Sequence, residues 1–549
     1  MADYVVEEWT DEERSILERH FTNVDRPVFA LVNLPPVVAG ALFARYSRSP
    51  KSLRRLFLDE FVESYESLVE GGTSVLLNTE RAERLYRNVF DAFGDDSVAQ
   101  LGGAHLAIEQ CSNVLTKVVE RGRLAAYLEQ STRYVPFTDR PGGRFRYHTP
   151  DDVAASTVGA EYRDTMDGIF ELYCRWLPEL VEHYAERFPH QDGDPKWVWR
   201  NSVTARACDD LRGMLPAATA SNLGVFATGQ AFEGLLLRLQ ASPLDEARQV
   251  GTMALEELKK VIPSFLVRLD RPDRGGAWAE YLRATEDAAV RAAEEVLARV
   301  EVEPEAVAPV TLTDFDPDGE EKVVAAVLYP RSRLPEVQLE HLARLMGAAE
   351  RLAVLKEYVG ERSNRRHKPG RAFERTGYRF DVTCDYGAFR DLQRHRICTL
   401  EWQPLSPLHG YERPDAIKDM RWADEWDLVM DRSHILYDSL RSEVPAAAPY
   451  AVCMAYRIRF AIQMNAREAM HLIELRSGAQ GHPAYRAVAH EMHRQIAEVA
   501  GHKAIAAAMS FVDRSAVDLE RLEAERRVAL RREASGPVEA SGSVEAPPG

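Results

Sequence analysis

Cysteine is scarce in this chain of 549 residues, and its few cysteines are scattered. The six stand at positions 111, 174, 208, 384, 398 and 453 and form no C-x-x-C motif. A disulfide framework is therefore not expected, and this usage is typical of a protein kept in a reducing cytoplasm.

Long apolar runs are also missing. No stretch approaches the ~18 apolar residues that a membrane-spanning helix needs. The acidic start, Met1 to Glu8, lacks the basic region and apolar core of a secretory signal. We therefore expect a cytoplasmic protein without a membrane partner.

Positive charge is in the minority, with 69 Lys and Arg against 86 Asp and Glu and a formal net charge of −17. This balance disfavours nucleic acid as a partner. It still allows an anionic small ligand, because a local arginine cluster can hold phosphate on an acidic protein. Residues 362–379 form such a cluster, rich in Arg, Lys and His.

Metal-binding motifs are not found either. The segment 490–493 reads H-E-M-H, with its histidines three residues apart. The zinc motif H-E-x-x-H needs a spacing of four, so we predict no metal site.

The length predicts two or three domains. The acidic, proline-broken stretch 301–309 is the best linker. We predict an N-terminal domain over 1–300, a C-terminal domain over 310–533 and a disordered tail over 534–549, which has no periodicity.

Helical patterns dominate the chain. Residues 277–300 and 504–532 are each predicted to form a long helix. Strand patterns are short, at Val310 to Thr313 and Tyr378 to Thr383. The fold class predicted for each half is α+β.

Two distant segments carry related arginine motifs. In the first, an R-G-R triplet at 121–123 is followed by S-T-R-Y at 131–134. In the second, an R-H-R triplet at 394–396 has no such tail, and Pro404 falls where the serine would stand. Each segment has what the other lacks.

Together these motifs resemble the flavin-dependent thymidylate synthases, whose motif is R-H-R, seven residues, then S-x-R-Y. The first copy has Gly122 where the family has histidine, and the second keeps His395 but loses the tail. The chain is most similar to double-length members. The resemblance implies two tandem copies of the family domain, each a mixed sheet with long helices.

Further family elements follow in the second half. They are F-E at 373–374, R-F at 459–460, N-A-R at 465–467 and L-R at 475–476. The first half has T-G-Q at 228–230 and Asn222 at the corresponding places. If Asn465 and Arg476 lie on one helix, their spacing of eleven residues puts them on one face.

The resemblance implies a role for each motif residue. A nucleotide monophosphate carries close to two negative charges, which planar guanidinium groups bind well. The residues implied to bind the nucleotide are Arg121, Gln130, Ser131, Arg133, Arg459 and Arg476, of which Ser131 and Arg476 are also implied to be catalytic. Those implied to bind FAD are Glu374, Arg394, His395, Arg396, Asn465 and Arg467.

The implied reaction is reductive methylation of dUMP at C5, with carbon from methylenetetrahydrofolate and reducing equivalents from NADPH through FAD. The sites would be composite, built from both halves, in a homodimer that imitates the family's tetramer. Two other functions stay open: methylation of another uridine nucleotide, and a non-catalytic flavin or nucleotide binder.

Structural explanations of the same residues also stay open. The triplet at 394–396 could be a solvated face or part of a salt-bridge network. Ser131 could be a helix cap, and Cys398, just past the triplet, is expected to be a small buried filler.

Overall fold

The computed structural model describes residues 7–26, 29–46, 51–62, 100–192, 194–300, 305–515 and 522. The predicted tail, 534–549, lies outside them, as does nearly all of 516–532. Helices dominate the described residues, with two small sheets. The predicted α+β class is confirmed.

The described α-helices vary widely in length. They are α1 (Asp11–His20), α2 (Pro36–Tyr46), α3 (Leu53–Phe61), α4 (Asn113–Val119), α5 (Asp151–Ala155), α6 (Gly159–Arg187), α7 (Lys196–Leu211), α8 (Gly229–Ala241), α9 (Asp245–Lys259), α10 (Ala277–Leu297), α11 (Gly319–Leu328), α12 (Glu336–Leu345), α13 (Ala348–Val359), α14 (Tyr386–Gln393), α15 (Asp415–Lys418), α16 (Ala423–Glu443), α17 (Ala466–Arg476), α18 (Pro483–Glu498) and α19 (Lys503–Ala508).

The strands form two separate sheets. They are β1 (Gly103–Ser112), β2 (Ala125–Glu129), β3 (Ala220–Thr228), β4 (Val310–Phe315), β5 (Gly377–Asp385), β6 (Thr399–Trp402) and β7 (Arg457–Asn465). The order is β1-β3-β2 in one sheet and β4-β5-β7-β6 in the other. Strand β2 is antiparallel to β3, and β5 is antiparallel to β4 and β7.

The chain divides into two compact units that do not follow its sequence order. The first contains Met1–Cys111, Val118–Glu129 and Ser221–Glu303. The second contains Ser112–Lys117, Gln130–Ala220 and Pro304–Gly549. These two units are defined by contacts between residues. The domain boundaries predicted from the sequence for the two tandem copies therefore remain a prediction.

The first unit holds the three-stranded sheet and the R-G-R triplet. Gly122 lies just before β2, and a Cβ atom at this position would lie 2.5 Å from the Tyr127 hydroxyl oxygen. The site is therefore crowded, and a histidine here would need Tyr127 to move. This agrees with the loss of the family's histidine from this copy.

The second unit is built on the four-stranded sheet. Along β7 the side chains alternate, with Ile458, Phe460 and Ile462 buried on one face. Helix α18 packs across β4 and β5. Near the middle of α6, Trp176 stacks on Trp422 with ring centroids 4.3 Å apart. This sheet and its helices carry most of the predicted site residues.

Candidate active site

The second unit brings motifs from both halves of the sequence into one compact body. It contains Gln130, Ser131 and Arg133 of the first motif and the whole R-H-R triplet of the second. Arg121 belongs to the first unit. Of the residues implied to bind the two ligands, Arg121 is the one outside the second unit.

Arg133 is held by protein groups on several sides. Its Nε and Nη2 donate to the two carboxylate oxygens of Asp209, at 2.7 and 2.8 Å. Its Nη1 donates to the Tyr485 hydroxyl at 2.8 Å, and Nη2 also donates to the Gln480 carbonyl at 3.2 Å. Burial opposes the charge of Asp209, but nearby His482, Arg133 and Arg212 outweigh it and lower the pKa of that carboxyl.

Arg476, the last residue of α17, lies in the same cluster. Its Nη1 is 3.5 Å from Asp391 Oδ1, and its Nη2 donates to the Asp391 carbonyl. Its guanidinium lies 5.4 Å from the ring centre of Tyr485, and that of Arg133 lies 5.8 Å from the same ring. One tyrosine therefore contacts an arginine from each half of the sequence.

His395 is the buried member of the R-H-R triplet, between the exposed Arg394 and Arg396. Its Nε2 accepts a hydrogen bond of 3.0 Å from Arg476 Nε, and its Nδ1 lies 3.1 Å from Glu468 Oε1. Burial, followed by the nearby charge of Arg476, lowers the pKa of His395 to about 3. The imidazole is therefore neutral at pH 7.

The tautomer of His395 bears on metal binding. Ligand atoms of His395, Glu468 and His471 lie within 4.8 Å of one another. Because Arg476 Nε can only donate, His395 Nε2 must accept, and its proton sits on Nδ1 facing Glu468. His395 and Glu468 thus fit a hydrogen-bond chain from Glu468 through His395 to Arg476 better than a cation site.

The residues implied to bind FAD lie around this chain of hydrogen bonds. Asn465 caps α17, its Oδ1 accepting from Glu468 N at 2.9 Å. Arg467 donates to the Pro369 carbonyl at 2.9 Å, and its Nη1 is 3.7 Å from a carboxylate oxygen of Glu374. Arg394 and Arg396 stay exposed to solvent.

A basic patch suits the anionic part of a flavin dinucleotide. It consists of Arg365, Lys368 and Arg467. Burial lowers the pKa of the Lys368 amine, and the charges of Arg467 and Arg365 lower it further, whereas the carboxylates of Glu468 and Glu474 act in the opposite direction. Cations held close together favour an added anion, and guanidinium groups match pyrophosphate oxygens. The donor set therefore fits FAD.

Ser131 and Arg459 have local partners. Ser131 Oγ accepts from Arg133 N at 3.2 Å, which shapes the backbone turn that presents Arg133. Arg459, on β7, donates from Nε to Thr383 Oγ1 at 3.2 Å and is 3.9 Å from Asp381. Both residues belong to the second unit.

A buried network of charged residues around Arg212 was not predicted from the sequence motifs. Arg212 is 3% exposed and lies 3.8 Å from Asp209, 3.7 Å from Asp391 and 4.0 Å from Asp385. The only sequence signal was the charged run Asp209-Asp210-Leu211-Arg212, at the end of an otherwise mixed helix. Its partners Asp385 and Asp391 are more than 170 positions away, so the sequence alone could not pair them.

Comparisons with known proteins match both halves of the chain. A family model described as thymidylate synthase complementing protein matches residues 43–264 and 311–501. The two matches confirm the predicted tandem copies. No helix in the described part of the chain is long and apolar enough to cross a membrane.

Relatives match the chain over nearly its whole length. A UPF0159 protein of Chlamydia muridarum (strain MoPn / Nigg) is 38% identical over 95% of this chain and 98% of its own. A UPF0159 protein of Thermoplasma acidophilum is 33% identical over 89% of this chain and 98% of its own.

Among solved structures, the chain is similar to the flavin-dependent thymidylate synthase of Helicobacter pylori, complexed with FAD and dUMP. The identity is 16% and the TM-score 0.25, covering 34% of this chain and 93% of that one.

Proposed function

Because this chain belongs to the thymidylate synthase complementing protein family, the flavin-dependent thymidylate synthases, we propose that it reductively methylates dUMP at C5. Methylenetetrahydrofolate would supply the carbon and NADPH the electrons. The observation that supports this most is the cluster on Tyr485, where Arg133 of the first motif and Arg476 of the L-R element in the second half lie over one ring.

Different residues of the chain would bind each of the two ligands, FAD and the nucleotide. FAD, when bound, supplies the hydride chemistry. The protein therefore needs residues that position the ligands and neutralise their charge more than it needs a nucleophile. Arg394, Arg396 and the basic patch would hold the cofactor. Buried His395 offers no positive charge at pH 7 but fixes Arg476 through Nε2. Arg476 and Arg133 would then orient the nucleotide.

The free thiols support a mechanism without a cysteine nucleophile. Cys398, close to the triplet, is 5% exposed, and Cys384 and Cys453 are also buried. Burial raises the pKa of Cys453 to about 12 and that of Cys384 well above its usual range. Cys384 and Cys453 are therefore protonated at pH 7 and poor nucleophiles.

The test is formation of dTMP by the FAD-loaded full-length chain with dUMP, methylenetetrahydrofolate and NADPH. Arg133→Ala and His395→Ala should each lower kcat/KM by about tenfold to a hundredfold, since each removes a hydrogen bond to a charged group. Ser131→Ala should lower it as well. Arg494→Ala, an exposed arginine of α18 with side-chain exposure 46%, is the matched control and should keep full activity. If the wild type reduces flavin and forms no dTMP, this acceptor is wrong.

The implied phosphate contact of Arg133 has a test of its own. Arg133 makes four hydrogen bonds to protein groups, out of five N–H donors. A phosphate would have to displace Asp209. Asp209→Asn tests this competition: it should tighten dUMP binding by about tenfold if Asp209 competes with phosphate. Weaker binding would show that Asp209 holds Arg133 in place for the ligand.

A further inference from the structure

Helix α10 is exposed to solvent over most of its length. Its first turns pack on α8, where Ala279 is buried and Arg283 Nη2 donates to the Gln240 carbonyl at 3.2 Å. From Arg283 to Val300, every residue is exposed. The helix lies between the two segments that the family model matches. It is therefore an element of this chain that the two thymidylate synthase domains do not account for.

The apolar side chains of α10 lie along one side of the helix. At 3.6 residues per turn, Trp278, Leu282, Ala289 and Val296 fall close to one line along its surface. Glutamate, aspartate and arginine side chains occupy the opposite side. An amphipathic helix of a globular protein usually packs its apolar stripe on the core. The large exposed apolar residues of this stripe and its borders are Trp278, Tyr281, Val290, Val296 and Leu297. A contiguous exposed apolar surface of this kind marks an interaction site.

The apolar stripe is symmetric about Ala289. Leu282 and Val296 stand seven residues before and after it, and Trp278 and Val300 stand eleven before and after it. When two copies of the helix pair antiparallel with Ala289 at the crossing point, Leu282 of one copy lies at the level of Val296 of the other. An interface across a two-fold axis uses the same surface on both partners and must match itself. The stripe therefore fits a second copy of this helix.

The charges of α10 favour the antiparallel orientation. About Ala289, Arg283 of one copy lies within one residue of the level of Glu294 on the other, a rise of about 1.5 Å. In a parallel pair, each charged residue would instead lie beside the same residue of the second copy. Like charges placed side by side across an interface oppose association. Apolar pattern and charge thus select the same arrangement.

We propose that α10 is a docking surface for α10 of a second copy of this chain, with the two helices antiparallel and crossing at Ala289. The interface lies outside the segments that carry the family motifs. It does not depend on the reaction proposed above.

The first test is sedimentation of the full-length chain over a range of concentrations. The wild type should reach twice 61.9 kDa. Ala289→Arg brings two guanidinium groups together at the crossing point and should raise the dissociation constant at least about a hundredfold, which restores the single-chain mass. Both Ala289 and Ala298 are exposed, so neither change disturbs the core. Ala298→Arg, the same change on the opposite side of the helix, is the matched control and should keep the wild-type mass.

Cysteine crosslinking tests the orientation. Ala289→Cys should give a covalent dimer on mild oxidation, because Ala289 meets its own copy at the crossing point. Thr285→Cys combined with Ala293→Cys in one chain should also crosslink, whereas either change alone should not, since only an antiparallel pair brings Thr285 to Ala293. The wild type, oxidised in parallel, gives the background of the native cysteines. A wild type of 61.9 kDa at every concentration, an unchanged mass in Ala289→Arg, or crosslinking of Thr285→Cys alone would overturn the proposal.

Discussion

At the scale of single residues, this protein uses buried charge to place its arginines. Arg133 and Arg212 both face Asp209, which is 5% exposed. Removing one partner of such a buried pair leaves an uncompensated charge and costs about 3–5 kcal/mol. The same contacts hold the guanidinium groups in one orientation, as a binding site for a planar anionic ligand requires.

The neutrality of His395 predicts a pH dependence of stability. Its pKa of about 3 in the folded chain lies below the ordinary value of about 6.5. Between these values the unfolded chain binds the proton and the folded chain does not, so the free energy of unfolding falls as the pH falls. His395→Gln should remove up to about 1.4 kcal/mol per pH unit of this dependence.

Chemical denaturation at several pH values between 6.5 and 4 measures this effect. His434→Gln, a change at a residue whose side chain is 45% exposed, is the control and should keep the wild-type slope. An unchanged slope in His395→Gln would mean that His395 is charged in the folded protein.

At the scale of elements, local patterns predicted some of the regular segments. The helix expected over 277–300 is α10, Ala277–Leu297, and the two expected strands are β4 and β5. Asn465 and Arg476 do share α17, one as its cap and one as its last residue. In each of these segments, the spacing of apolar residues along the chain is enough to indicate the element.

The helix expected over 504–532 was wrong in its described part. It ends at Ala508, and residues 509–515 follow without helix. Tertiary contacts hold this segment, since Phe511 N donates to Glu474 and Asp513 N to Ser477 Oγ. These bonds to the end of α17 replace the bonds that a continuing helix would make.

Asn465 is the N-cap of α17. Two substitutions there separate its structural role from its predicted role in binding FAD. Asn465→Ala should lower the free energy of unfolding by about 1 kcal/mol, whereas Asn465→Asp should not, because aspartate caps equally well. If Asn465 also donates to FAD, both variants should weaken flavin binding, since neither retains the amide N–H. Chemical denaturation and titration of flavin fluorescence measure the two effects. Unchanged flavin affinity in both variants would limit Asn465 to its capping role.

At the scale of the whole molecule, the proposed composite site could take its residues from one chain or from two. Gln130 to Ala220 and Pro304 onward belong to one compact unit. Ser131 and His395 therefore come from the same chain, and a homodimer would carry two such sites.

Mixed dimers test this arrangement. Chains with Ser131→Ala, refolded together with chains carrying His395→Ala, should give no more dTMP synthase activity than either variant alone, because no hybrid contains an intact site. Sedimentation should first show an assembly of twice 61.9 kDa. Activity recovered well above the separate variants would mean that the two motifs meet between chains.

The sequence by itself determined the class of fold, the duplication and the family, because periodicity, motif spacing and residue type are local properties of the chain. It could not determine that Asp209 pairs with Arg133, that Tyr485 lies under two arginines, or that Arg212 faces Asp385 and Asp391. These residues are separated by up to hundreds of positions and carry no shared motif. Only the packing of distant segments into one core, driven by burial of apolar surface, brings them together and decides which charges are paired.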